Sequence, residues 1–404
     1  MRSAIFQWLI PVWLLGLIFP PTLDTEYQNL LQVVSAAWIL PFGVAAAGMD
    51  FVYAPVFRRW PWVMFSLVGM GGFLMLSGML SEDPLLSMSY TGVTMMVLVI
   101  CAGLWEVIGD GMQAAIRNYA LLGSALIAWV YWNAPEYTAV FQGRLSFSAT
   151  SHPNHLGLIA FGVLVSCLGV ENLLLRSVLM VVNFLGIVGC QSRGALLAGG
   201  LALGAHMGLS LVTDRKARTV RVFAYTFAVV GACVIALVNF DELSAAINGL
   251  LLLDDRYRGV GTGFTGRIEA WEEALAMFRE NPFFGVGFRM HERYMTSLSS
   301  AHNGYLSMLA ETGVTGIAGV VLLFGLTIRM VARDAMARNR VAMIGVPFIA
   351  GYCFLAIFER YLVNVGNPTS VIVWVLLFMQ SPERVSLRGM RAVPRFAATA
   401  SRVG

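Results

Sequence analysis

Charge is what this sequence has least of: Asp, Glu, Lys and Arg make up 12% of its 404 residues, against 58% hydrophobic residues and a mean hydropathy of +0.72. A water-soluble protein of this size needs far more polar side chains to cover its surface, so composition excludes a soluble enzyme and places the chain in lipid. Lysine is almost missing; of the 27 cationic side chains only Lys216 is not arginine. Cysteine is sparse and unpaired in pattern. Cys101, Cys167, Cys190, Cys233 and Cys353 all fall inside apolar runs, where they act as small hydrophobes. That excludes a disulfide framework and a CxxC metal or redox centre. Repeats and low-complexity tracts are absent too, so residues 1–404 read as one polytopic membrane domain.

What the chain does have is apolar runs of about 20 residues, each long enough to cross a hydrocarbon core as a helix. The first, from Ile5 to Pro20, lacks a small-residue cleavage site and reads as a retained helix. About twelve spans are predicted, at roughly 4–20, 29–49, 61–79, 91–108, 118–134, 154–170, 177–191, 194–212, 222–239, 304–328, 341–360 and 368–380. The loops then sort by charge. One set carries Arg58 and Arg59, Arg117, Arg176, the cluster from Arg215 to Arg221, the cluster from Arg329 to Arg340, and the Arg-rich tail. The alternate set carries Asp24 and Glu26, Glu82 and Asp83, and Glu136, with Arg144, Arg193 and Arg360 as its cations. The positive-inside rule puts the first set and both termini in the cytoplasm of a bacterial inner-membrane protein. The one long connection, 240–303 between spans nine and ten, is then periplasmic. Its stretch from Phe240 to Ala301 holds six Arg and nine acidic residues, the richest chemical inventory in the chain.

Within that loop, residues 265–279 place apolar side chains at 268, 271, 275 and 278, which predicts an amphipathic helix resting on the bundle. Thr265 is a natural N-cap, and Arg267 in the first turn sits where exposed amides already favour an anion. A guanidinium fork there suits a phosphate; pairing with Glu269 or Asp255 accounts for the same residue structurally. Asn281-Pro-Phe-Phe-Gly-Val-Gly-Phe288 ends the helix in a Gly-bearing turn that lacks the strand and the third glycine of a dinucleotide fingerprint. His302 opens the segment AHNGYLSMLAETGVTG, which re-enters the membrane. Imidazole is the side chain that exchanges protons near neutral pH, so His302 is a candidate base, or else a helix-start interface residue. Gln191-Ser-Arg-Gly194 is a polar break between two apolar runs, and its Arg193 either snorkels or meets an anionic ligand. Arg193, Arg267 and His302 together make two cations and one base.

These segments resemble a known family. SRG at 192–194, TGRIEAW with its PFFGVGF continuation, and above all AHNGYLSMLAETGVTG look like the shared domain of O-antigen ligases and O-antigen or exopolysaccharide polymerases. FSATSHPNHLG, from Phe147 to Gly157, is similar to that family's Pro-Asn element before a span. The resemblance extends to the twelve-span topology with one long loop late in the chain. It implies an all-α, GT-C-like membrane fold and a metal-independent, inverting glycosyl transfer without a cofactor. The donor would be a glycan on undecaprenyl diphosphate, the acceptor a glycan or lipid A core, as in lipopolysaccharide or exopolysaccharide biosynthesis. Membrane lipids are further partners; nucleic acid is not one. Arg193 and Arg267 match the arginines that hold the diphosphate, and His302 the histidine that activates the acceptor. Arg289, Arg293 and Arg256 are secondary candidates, with His291 as an alternative base. The rival reading is a twelve-helix secondary transporter or polysaccharide exporter. Its weakness is that ionisable residues at mid-membrane are scarce apart from His206. A metal-dependent transferase using Asp24 and Glu26 is a second rival.

Overall fold

The structure, a computed structural model, describes residues 2–20, 28–133, 143–148, 151–214, 218–220, 222, 266–360 and 362–379. Among them the regular structure is helical: α1 (Arg2–Gly16), α2 (Gln28–Ala37), α3 (Ile39–Ala47), α4 (Met49–Val52), α5 (Pro55–Arg59), α6 (Pro61–Met79), α7 (Pro84–Ile108), α8 (Met112–Trp132), α9 (Pro153–Ser166), α10 (Leu173–Gly189), α11 (Arg193–Thr213), α12 (Arg267–Glu280), α13 (Gly304–Met336), α14 (Arg340–Leu355) and α15 (Pro368–Leu377).

Five stretches of helix are long and apolar enough to cross a membrane: Leu30–Ala47, Pro61–Met79, Pro84–Trp132, Arg193–Thr213 and Gly304–Met336. Five more are apolar but shorter: Ser3–Gly16, Pro153–Gly169, Leu173–Gly189, Arg340–Leu355 and Pro368–Leu377. Where the described residues cover the predicted segments, helices stand in them, with two departures. The segment 29–49 is broken between α2 and α3. The segment 341–360 leaves the helix after Leu355, which frees residues 356–360 for another role. The segment 222–239 and most of the long connection lie outside the described residues.

Helix starts carry the sequence signals that lipid demands, because an unmet backbone N–H has no water to turn to there. Asp83, Asn172, Asn303, Asn339 and Asn367 each cap the following helix with a side-chain oxygen. Proline opens α6, α7, α9 and α15, where its missing N–H costs nothing. The core is aromatic and aliphatic, with Trp13, Tyr119, Phe161, Phe348, Tyr352 and Trp374 fully buried. Some polar tips inside it find partners: Trp105 Nε1 donates to Val375 O at 2.7 Å and Tyr352 to Ser370 Oγ at 2.6 Å. The outer surface keeps large apolar side chains in view, Trp62, Leu85 and Trp132 among them, as a lipid-facing surface does. α11 packs along α14, α13 along α6, and α12 along α13.

Candidate functional site

The site is built around a break in α13. Gly313 interrupts that helix at φ 60°, ψ −161°, which leaves backbone groups of its neighbours without their helical partners. The segment Pro282–Gly287 fills the gap. Val286 N donates to Ala310 O and Gly287 N to Glu311 O, both at 2.9 Å, while Val314 N donates to Pro282 O at 2.9 Å. Ser77 Oγ in α6 also donates to Glu311 O, at 2.7 Å. The approach is so close that a Cβ on Gly285 would lie 2.3 Å from the Glu311 carbonyl carbon, and one on Gly313 2.4 Å from that of Phe283. The glycines of PFFGVGF and AETGVTG are thus the two halves of one backbone contact, needed for space and for positive φ.

That contact fixes what lies on either side of it. Downstream of Pro282–Gly287 comes His291, buried, with Nδ1 2.5 Å from Glu311 Oε1 and Nε2 3.3 Å from Ser307 Oγ. Upstream runs α12, which begins at Arg267 with Gly266 in the cap position at φ 77°; the predicted cap, Thr265, lies outside the described residues. The buried face of α12 is Ala270, Ala274 and Met277, which corrects the predicted stripe: Ile268 is exposed. The small alanines win the interface because they let α12 close on Ala301 and Ala310.

At the start of α13, Asn303 caps the helix through Tyr305 N and Leu306 N at 3.0 and 3.1 Å. His302, just before it, is held at φ 46°, and its buried Nδ1 has no hydrogen-bond partner among the described residues. That nitrogen sits 3.8 Å from Glu359 Oε2; Arg267 Nη2 sits 3.9 Å from Glu359 Oε1. Asn154 Nδ2 donates to the same Oε1 at 2.8 Å, and Arg144 Nη2 donates to Asn154 Oδ1 at 2.8 Å while its Nε donates to Cys190 O at 3.1 Å. Glu359 is 7% exposed, Arg267 19% and His302 29%, so the group is shielded but reachable. Arg193 opens α11 next to this centre: Gly194 packs against Leu355 and Phe358, the residue before Glu359.

Four segments distant in sequence therefore meet at one carboxylate. Arg267 and His302 are brought together, and Arg193 starts its helix beside them; the partner of Arg267 is Glu359, and Asp255 lies outside the described residues. Arg289, Arg293 and His291 are placed differently. Arg293 pairs with Asp83 at 3.1 Å on the exposed surface, His291 is enclosed with Glu311, and Arg289 lies over the Tyr90 ring at 5.8 Å. Arg256 lies outside the described residues. Glu359 escaped the sequence reading because it falls at the end of an apolar run counted as a span, and its neighbour Arg360 was read only as an outer-loop cation. The signal was there in an acid next to the single cation of that loop. Arg360 itself pairs with Glu292. Burial, the largest influence on Glu292, pushes its pKa up, but Arg360, Arg289 and His291 together bring it below the ordinary value.

Beside this network lies a cavity of about 420 Å³ between α2, α7 and the segments carrying Ser151–His155, Arg289 and Arg360–Asn367. Among the described residues no group of three or more His, Cys, Asp and Glu side chains is spaced to hold a metal ion, and Asp24 and Glu26 lie outside them. His206 Nδ1 lies 3.2 Å from Met343 O, in the interface of α11 with α14.

Residues 178–321 match the model of a family described as O-antigen ligase. Over this stretch the chain is similar to the O-antigen ligase family. The matched stretch contains Arg193, Arg267, His302 and both glycine segments of the α13 break, the region where the sequence motifs concentrate. It ends before Glu359 and begins after Asn154, so those two members of the cluster come from outside it. No curated protein matches the sequence.

Proposed function

We propose that this protein is a glycosyltransferase at the periplasmic face of a bacterial inner membrane, moving a glycan from undecaprenyl diphosphate to an acceptor hydroxyl. The observation that carries this reading is the meeting of Arg267 and His302 on the two oxygens of Glu359. His302 takes the proton of the acceptor hydroxyl, and the freed oxygen attacks the anomeric carbon of the donor. The bond from that carbon to the diphosphate oxygen breaks with its electron pair. A single displacement inverts the anomeric centre and releases undecaprenyl diphosphate. The leaving group needs charge neutralisation rather than a proton, and the guanidinium groups of Arg267 and Arg193 supply it. Glu359 stabilises the imidazolium that forms on His302 and orients Arg267 at the same time. His302 in this centre has a left-handed backbone, as does Gln191 two residues before Arg193, where strain accompanies function.

The test is complementation of a strain lacking this gene with wild type, His302→Ala or Arg267→Ala, following surface glycan by gel and carrier-linked glycan by mass spectrometry. Only wild type is expected to restore surface glycan. Long carrier-linked chains accumulating in the mutants identify a ligase, single repeats a polymerase, and the family match favours the ligase. Full restoration by both variants at normal expression overturns the assignment.

A further inference from the structure

Asn154 and Arg144 take no step in the reaction above, yet they lie one and two hydrogen bonds from its central carboxylate. Residues 143–148 run past the C-terminal end of α10, where helix carbonyls lack intrahelical partners and the helix dipole is negative. Leu145 N donates to Gly189 O at 2.9 Å and Arg144 Nε to Cys190 O at 3.1 Å. Closing that helix end accounts for one edge of the guanidinium. The other edge reaches further, because Arg144 Nη2 donates to Asn154 Oδ1 at 2.8 Å while Asn154 Nδ2 donates to Glu359 Oε1 at 2.8 Å. A guanidinium only donates and an ionised carboxylate only accepts, so the amide between them has one permitted orientation. Its backbone is fixed as well: Asn154 stands in the first turn of α9, with its N–H donating to His152 Nδ1 at 3.1 Å. That helix is packed tightly on the turn before Arg193, where a Cβ on Gly157 would lie 2.5 Å from Ser192 Cβ.

Among the described residues, the Asn154 amide is the group that stands at hydrogen-bond distance from the Glu359 side chain; Arg267 Nη2 and His302 Nδ1 are 3.9 and 3.8 Å away. The direction of the carboxylate is therefore set by Asn154 and not by the two residues it serves. We propose that Arg144 is a positioning residue for the transfer reaction: its fork locks the Asn154 amide, which aims Glu359 at His302 and Arg267. This rests on the transferase reading above, in which Glu359 stabilises the imidazolium formed on His302. A carboxylate aimed beforehand needs no reorganisation as that charge appears, so the effect of Arg144 belongs to the chemical step. Lysine does not substitute for it. An ammonium keeps the charge beside the end of α10 but lacks the planar fork that meets the Cys190 carbonyl and the Asn154 amide at fixed angles.

The experiment compares wild type, Arg144→Lys, Asn154→Ala and the double variant, each as the full chain in nanodiscs, with carrier-linked glycan and acceptor lipid extracted from a strain lacking the gene. Release of undecaprenyl diphosphate is followed against donor concentration. Arg144→Lys is expected to lower kcat about tenfold or more while the donor KM stays within about threefold of wild type, with Asn154→Ala falling at least as far. The double variant is expected to be no slower than Asn154→Ala, because Arg144 then has nothing to act through. Losses that multiply in the double variant would give Arg144 an independent role and overturn the proposal. So would a wild-type kcat in Arg144→Lys, or a raised donor KM at unchanged kcat, which would move Arg144 to donor binding. Asn154→Ala leaves the α10 contact in place, so it decides the matter where melting shows Arg144→Lys to be unfolded: a wild-type kcat there overturns the proposal. Failure of the transferase reading shows separately, as a wild type that releases no undecaprenyl diphosphate, and takes the proposal with it.

Discussion

The two ends of the helix bundle use the same residue type for different ends. At one, arginines lie in the open: Arg338 pairs with Asp214, Arg340 with Glu171, Arg58 with Asp50 and Glu106, and Arg333 lies over Trp60. Arg340 is 72% exposed and Arg338 54%. At the other end Arg267, Arg144 and Arg360 are drawn into a shielded network with His302, Asn154, Glu292 and Glu359. An exposed pair is screened by water and adds little, while a desolvated group holds its charges in fixed positions and strengthens their effect on a ligand. The difference teaches that the arginine count of a membrane protein mixes two signals, one of orientation and one of chemistry. Burial separates them.

The largest effect should come from the backbone contact that organises the shielded end. Gly313→Val adds a side chain where a Cβ already meets Phe283 backbone, at a φ that valine resists, so it should cost more than about 2 kcal/mol and abolish folded protein. Fluorescence-detected size-exclusion chromatography checks this; a normal monodisperse peak would remove the break from its organising role. Glu359→Ala comes next. Transfer should fall by about 100-fold or more with expression intact, because His302 and Arg267 lose their common anchor. Conversion of carrier-linked glycan in membranes measures it, and activity near wild type would reduce Glu359 to a packing residue.

Changes at the open end should be mild by contrast. Arg340→Ala removes a pair worth at most about 0.5 to 1 kcal/mol and should leave transfer untouched. A thermal-melting shift beyond a few degrees, or a loss of activity, would break the distinction between the ends. The smallest effect concerns Glu273 on α12, which accepts from Thr296 Oγ1 and from Thr296 N and Ser297 N. The Thr296 hydroxyl, with help from Ser297, holds its carboxyl below the ordinary 4.5 against a small opposing push from burial. Stability from this contact is therefore present above the ordinary carboxylate value and lost as pH falls through the depressed one. Protection of the Thr296 and Ser297 amides, taken relative to their intrinsic exchange rate at each pH, should fall on acidification in wild type and be lower, without that pH dependence, in Glu273→Gln.

Much of the architecture was legible because lipid imposes one rule on every backbone group. Apolar runs had to be helices. Motif reading also singled out Arg193, Arg267 and His302, and the segments PFFGVGF and AETGVTG. Three things went unread. The buried face of α12 was misassigned because periodicity ranks large side chains above the alanines that close approach prefers. The reason for the paired glycines was invisible, since each half makes sense only against the other. Glu359 was hidden inside a predicted span, and Asn154 was read only as part of a Pro-Asn element with no partner.

Sequence by itself determined the solvent this protein lives in, the helical nature of its segments and the residue types available for chemistry, because hydropathy and charge act locally along the chain. Tertiary structure alone decided that Asn154, Arg267, His302 and Glu359 share one carboxylate, and that Arg289 and Arg360 share one cavity. The reason is physical. Each meeting depends on where a helix stops or breaks, at Leu355 and at Gly313, and those points are set by backbone contacts between segments remote in sequence.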